Sequence, residues 1–110
     1  MESFHHKHLE GLTIEPVGSA LRIDYSEPDQ GGTVLLTRFR VPLKGNPEIE
    51  YGYRHDAELT KREIAFEEIP PRVIGDAEAW LTQQLELAQR SGKKALIDAL
   101  SGFQDRLRGK

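Results

Sequence analysis

Two aromatic rings, a guanidinium, an imidazole and a carboxylate fall within six residues at Tyr51-Gly52-Tyr53-Arg54-His55-Asp56. A histidine beside a carboxylate is the raw material of a general base and its orienting partner. Consecutive strand residues point to opposite faces, however, so His55 and Asp56 pair directly only if the chain turns between them. His55 is the one histidine of the folded body, and without an identifiable partner group it ranks third among the functional readings, as the base of a small-molecule enzyme.

A second constellation is His5, His6 and His8 near the N-terminus. Imidazoles at this spacing bind transition metals, but neither cysteine nor a His-Glu-x-x-His pattern accompanies them. Residues 1–11 therefore read as a flexible arm, and no metal or cofactor is assigned to the chain. The glycine in Arg90-Ser91-Gly92-Lys93-Lys94 superficially resembles a phosphate-binding loop. It lacks the second glycine and the Lys-Ser/Thr ending, and it follows a helical pattern where a strand is required.

The third chemistry is nucleic-acid recognition. Arg38, Arg40 and Arg54, with Tyr51 and Tyr53, are of the types that bind phosphates and stack bases on a sheet. Strand alternation separates them: Tyr51, Tyr53 and His55 share a face with Ile49, whereas Arg54 sides with Glu48 and Glu50. The expected outer face sets Arg22, Arg38, Arg40, Arg54 and Lys61 against Asp24, Glu48, Glu50, Glu63 and Glu67. Such a balance suits cross-strand ion pairs better than a phosphate backbone, so single-stranded nucleic-acid binding ranks second.

The elements that position these residues follow from hydrophobic period. From Leu12 to Glu68 short alternating runs predict about five meandering antiparallel strands: 12–15, 20–25, 33–41, 48–55 and 61–68. Gly31-Gly32 and Lys44-Gly45-Asn46-Pro47 supply the turn residues. The third run, apolar on both faces in its first half, is expected at the centre. Pro70-Pro71 ends the fifth run, and its first ring restricts Ile69 to extended dihedrals.

The period then changes. Asp76 as N-cap, followed by Ala77, Trp80, Leu81, Leu85 and Ala88, predicts a helix over about 76–91, closed by Gly92. Leu96, Ala99, Leu100, Phe103 and Leu107 give the apolar stripe of a second helix over about 93–108. Residues 12–110 are thus read as one α+β domain, an antiparallel sheet with two C-terminal amphipathic helices on one face.

A chain of 110 residues is long enough to build one core without staples, and the absence of cysteine excludes disulfides and thiolate chemistry. With 37% hydrophobic and 30% charged residues and a net charge of -3, composition is that of a soluble folded domain and does not point to polyanions. No apolar run reaches the length of a membrane span, so the cytoplasm is the expected compartment. Ample amphipathic surface then makes a non-enzymatic protein-protein interaction or adaptor domain the leading reading. It would act through a sheet edge or the helical hairpin, with another protein or a second copy as partner. Trp80, Leu87 and Ile97 are the candidate exposed anchors, Trp80 being placed by its stripe closer to the core.

Overall fold

The computed structural model describes residues 11–28 and 31–109. Of the expected N-terminal arm, 1–11, residues 1–10 with their histidines lie outside the described residues, and Gly11 accepts the Ser26 N–H at 2.6 Å. Five antiparallel strands form a meander in sequence order: β1 (Leu12–Val17), β2 (Ala20–Pro28), β3 (Val34–Pro42), β4 (Glu48–Tyr53) and β5 (Thr60–Glu63). Two helices follow, α1 (Pro71–Ser91) and α2 (Lys94–Leu107), completing an α+β fold. β3 is central, as its doubly apolar first half predicts.

The register sorts side chains by face. Ile14, Ile23, Phe39 and Ile49 lie in one row across β1 to β4, and Pro16, Leu21 and Val41 in the next. This face packs on the helices. Ile14, Leu21, Ile23, Tyr25, Phe39 and Val41 are buried with Val73, Ala77, Leu81 and Ala88 of α1 and Leu100, Phe103 and Leu107 of α2. Burial of these aliphatic and aromatic side chains is the main force holding the hairpin on the sheet.

The opposite face carries the ion pairs that its composition predicts. Arg22 pairs with Glu15, and its Nε lies 3.3 Å from Asp24 Oδ2 without the alignment of a hydrogen bond. Arg38 donates from Nε to Asp24 Oδ1 at 3.0 Å and from Nη1 to Glu50 Oε1 at 3.3 Å. Burial works against the Arg38 charge, and the two carboxylates outweigh it, leaving its pKa raised. Lys61 reaches Glu48 at 3.5 Å. Glu67, expected on this face, stands in a 3-10 turn beyond β5, and Glu15 of β1 takes its place among the acids.

Several boundaries differ from the sequence expectation, each for a local reason. β1 runs through Pro16 to Val17 because an edge strand has no outer partner to miss the proline N–H. β4 stops at Tyr53, two residues before His55. The fifth strand ends at Glu63; Ile64 still donates to Pro47 O, and then the helix-favouring residues Phe66–Glu68 make one 3-10 turn in which Glu68 accepts the Ala65 N–H at 2.8 Å. α1 begins at Pro71, five residues before Asp76, since proline suits the first helical position, where its missing donor costs nothing. Ile69 is extended, as the following proline requires.

Candidate functional site

The helical hairpin is built from a stop and an abrupt restart. Gly92 closes α1 in the left-handed region, φ 69°, with its own N–H directed to Gln89 O and that of Lys93 to Ala88 O. α2 restarts within two residues: Lys93 O accepts the Ile97 N–H at 3.0 Å, and no side chain caps the helix. Lys93 and Lys94 thus occupy the positive end of the α2 dipole, where cations are disfavoured. Arg90 and Glu86 stand 4.0 Å apart and Lys94 and Asp98 3.9 Å apart, separations at which exposed pairs contribute little. Among the described residues Lys93 has no ion pair. The tip therefore presents three cations within five residues.

Apolar side chains flank that turn. Leu87 is 49% exposed and Leu96 40%. Val17 and Leu43, also exposed, lie at the β1–β2 turn and just after β3, where the Leu43 N–H bonds to Ser19 O. Of the three anchors named from sequence, Leu87 is on the surface, while Trp80 and Ile97 are half-buried against the core. Leu96, which its stripe assigns to the core, is instead exposed. The 100° period that puts Leu96 in line with Leu100 and Phe103 says nothing about where the sheet beneath them ends.

A second, more polar place lies where α1 meets β2. The Tyr25 hydroxyl donates to Asp76 Oδ2 at 2.9 Å, and the Arg72 guanidinium sits 5.1 Å from the Tyr25 ring centroid. Clefts of about 230 Å³ and 200 Å³ open on either side, sharing Tyr25, Glu27 and Arg72. Asp76, expected as an N-cap, is thus a tie between helix and sheet.

Burial, followed by the hydrogen bond and charge of Asp76, raises the Tyr25 pKa well above the ordinary tyrosine value of about 10. The unfolded chain releases this proton near pH 10 while the folded chain retains it, so the stabilisation is complete below pH 10 and declines as pH rises. From pH 10 to 12 the unfolding free energy should fall by up to about 1.4 kcal/mol per pH unit more in the wild-type chain than in Tyr25→Phe. Urea titrations of both proteins at each pH check it, and equal slopes would refute it.

The six-residue YGYRHD stretch is divided by the end of β4. Tyr51 and Tyr53 do face the helix side with Ile49, yet they are 40% and 39% exposed. Sharing the face of Ile49 thus does not bury these two rings. His55 is exposed and stacks on Tyr53 with centroids 6.2 Å apart. The Asp56 carboxylate turns back to accept the Tyr53 N–H at 2.8 Å and so is spent on the turn. Gly52 makes room for that turn: a Cβ there would meet Leu59 Cδ2 at 2.9 Å and Asp56 Oδ2 at 3.0 Å.

No family model, curated protein or solved structure matches this chain.

Arg38 is held between Asp24 and Glu50. Arg40 stands between Arg22 and Glu48 on the neighbouring strands, and Arg54 borders an outer-face hollow with Arg38, Leu36 and Leu59. Neither Arg40 nor Arg54 has an ion pair among the described residues, and the register does not gather the three arginines into one strip. The sheet edges are guarded. The bond from Ser26 N to Gly11 O sets the alternation by which the backbone groups of Leu12, Ile14 and Pro16 point away from β2 at the edge, and Pro16 has no N–H to give. β5 is four residues long, fully exposed, and reads Thr-Lys-Arg-Glu, a length and charge that discourage strand addition. Among the described residues no helix is long and apolar enough to cross a membrane, and no three histidine or carboxylate groups are grouped to hold a metal.

Proposed function

We propose that this chain is a non-enzymatic protein-protein interaction domain that engages its partner through the turn end of the α1–α2 hairpin. The observation that carries this reading is the exposure of Leu87 and Leu96 on either side of the interhelical turn. Large aliphatic side chains that keep two fifths to a half of their surface in water on both flanks of the turn bring apolar area to a contact. A rigid platform supports them, because Ala88 and Leu100, one residue and four residues away, are locked into the core. Strand addition ranks lower, since one edge is interrupted by Pro16 and the other is short and charged. Nucleic-acid binding on the outer face ranks lower as well, because carboxylates already occupy Arg22, Arg38 and Lys61.

The test is a Leu87→Ser, Leu96→Ser double variant. Both positions are exposed, so its melting temperature should stay close to wild type. Light scattering over a concentration series, together with pull-down from a lysate of the source cells, should show self-association or a retained partner for the wild-type domain and its loss in the double variant. A wild-type domain that remains monomeric and retains nothing, or a double variant that behaves as wild type does, would overturn the proposal.

A further inference from the structure

We infer that the partner segment received by the hairpin tip is acidic and amphipathic, a helix-forming stretch of another protein with aspartate or glutamate flanking a row of leucine-like side chains. This inference rests on the hairpin reading above and adds the chemistry of what binds there. Arg90 follows Leu87 by three residues and Leu96 follows Lys93 by three, the spacing at which helix side chains are neighbours, so each exposed aliphatic has a cation beside it. The local acids, Glu86 and Asp98, hold Arg90 and Lys94 only at 4.0 and 3.9 Å, and Lys93 has no ion pair among the described residues. The outer sheet face is different. There most cations are already neutralised across strands, the Arg22 pair with Glu15 and the Arg38 pair with Asp24 among them.

The placement of these cations also works against the fold. Lys93 is the N-cap of α2 and Lys94 its first residue, where a serine or aspartate would cap the free amides and suit the dipole. A carboxylate from outside would reverse that mismatch and meet the cations together. An anionic lipid surface is the weaker occupant, because sequences that bind such surfaces cluster about four to eight cations without interspersed acids. Three cations bordered by two acids match one segment of similar width.

The experiment uses the full chain and fluorescence anisotropy with labelled helical peptides bearing leucine at helical spacing. One set carries glutamate on its polar positions, a second carries lysine there, and vesicles containing phosphatidylserine form a third arm. The acidic set should bind, more weakly as salt is raised, and the lysine set should not. Lys93→Glu with Lys94→Glu should weaken binding by about tenfold or more, and Leu87→Ser with Leu96→Ser should do the same. Lys93→Asp supplies the fold control: it caps α2 and should melt at or above the wild-type temperature while binding less.

Equal binding of acidic and lysine peptides would overturn the inference, as would binding to vesicles without binding to the acidic set. If the acidic peptides fail, while wild-type association seen by light scattering is abolished by the leucine substitutions and untouched by charge reversal, the acidic partner is refuted and the hairpin interface stands. If association is also absent, both fall.

Discussion

Replacing Leu81 by alanine should lower the unfolding free energy by about 2–5 kcal/mol. Leu81 is fully buried at the middle of the inner face of α1, with Ala77 one turn before it and Ala88 two turns after it. Leu81 shares the buried cluster with Leu21 and Ile23, and the two alanines on its face of α1 are too short to fill the space that the missing side chain would open. The cavity term should therefore add to the transfer term. A domain of this size loses about 4 °C of melting temperature per kcal/mol, so a fall of roughly 8–20 °C is expected. Leu81→Met, which keeps the volume, should cost less than about 1.5 kcal/mol. Urea unfolding followed by circular dichroism separates the cases, and an alanine cost under about 1 kcal/mol would mean that α1 is not seated on the sheet as described.

The second large effect is expected at Arg106. Its Nε donates to Pro42 O at 3.1 Å, its Nη2 donates to Gly45 O at 2.6 Å, and the guanidinium lies 4.8 Å from the Phe66 ring centroid. One planar fork thus ties α2 to the end of β3, to the β3–β4 connection and to the 3-10 turn. Charged donors to backbone carbonyls contribute about 1.5–3 kcal/mol each when well shielded, and the Gly45 bond is exposed, so Arg106→Ala should cost about 2–3 kcal/mol in total. Arg106→Lys keeps the charge but not the fork, because an ammonium cannot reproduce the two divergent N–H directions of a guanidinium. It should recover less than half of the loss. Hydrogen exchange should localise the damage to α2 and residues 42–47, and uniform loosening across β1 and β2 would argue against this role. The consequence for function is direct, since Arg106 helps hold the body of α2 whose first turn carries Leu96 and Lys94.

Arg106 also marks how far sequence reasoning reaches. Its position in the last turn of a helix is legible as dipole complementation, and that reading is compatible with the structure. Its partners lie 61 and 64 residues away, and no pattern in the chain joins them. Asp76 is a parallel case. Aspartate ahead of an apolar helical run resembles an N-cap, but Pro71 is as good a helix start, and the carboxylate is then free to take the Tyr25 hydroxyl 51 residues earlier.

The candidate interface shows the same division. Lys93, Lys94 and the glycine stop are plain in the sequence, and Leu87 is recognisable as lying off the main stripe. Leu96 and Ile97 exchange their expected places, one exposed and the other packed against the core. Tyr51 and Tyr53 keep the face that alternation assigns them and still remain in water.

By itself the amino-acid order determined the strand meander, the face of each sheet residue, the charge balance of the outer face, the two helices and the left-handed stop at Gly92. All of these depend on backbone period, turn chemistry and pairing between chain neighbours, which act over a few residues. The tertiary structure alone decided how far the helices extend over the sheet, and therefore which members of an apolar stripe are covered and which remain at the tip. Coverage depends on where two rigid layers come to rest, through burial and a few long-range ties such as Tyr25–Asp76 and Arg106–Pro42, and no local pattern encodes that placement.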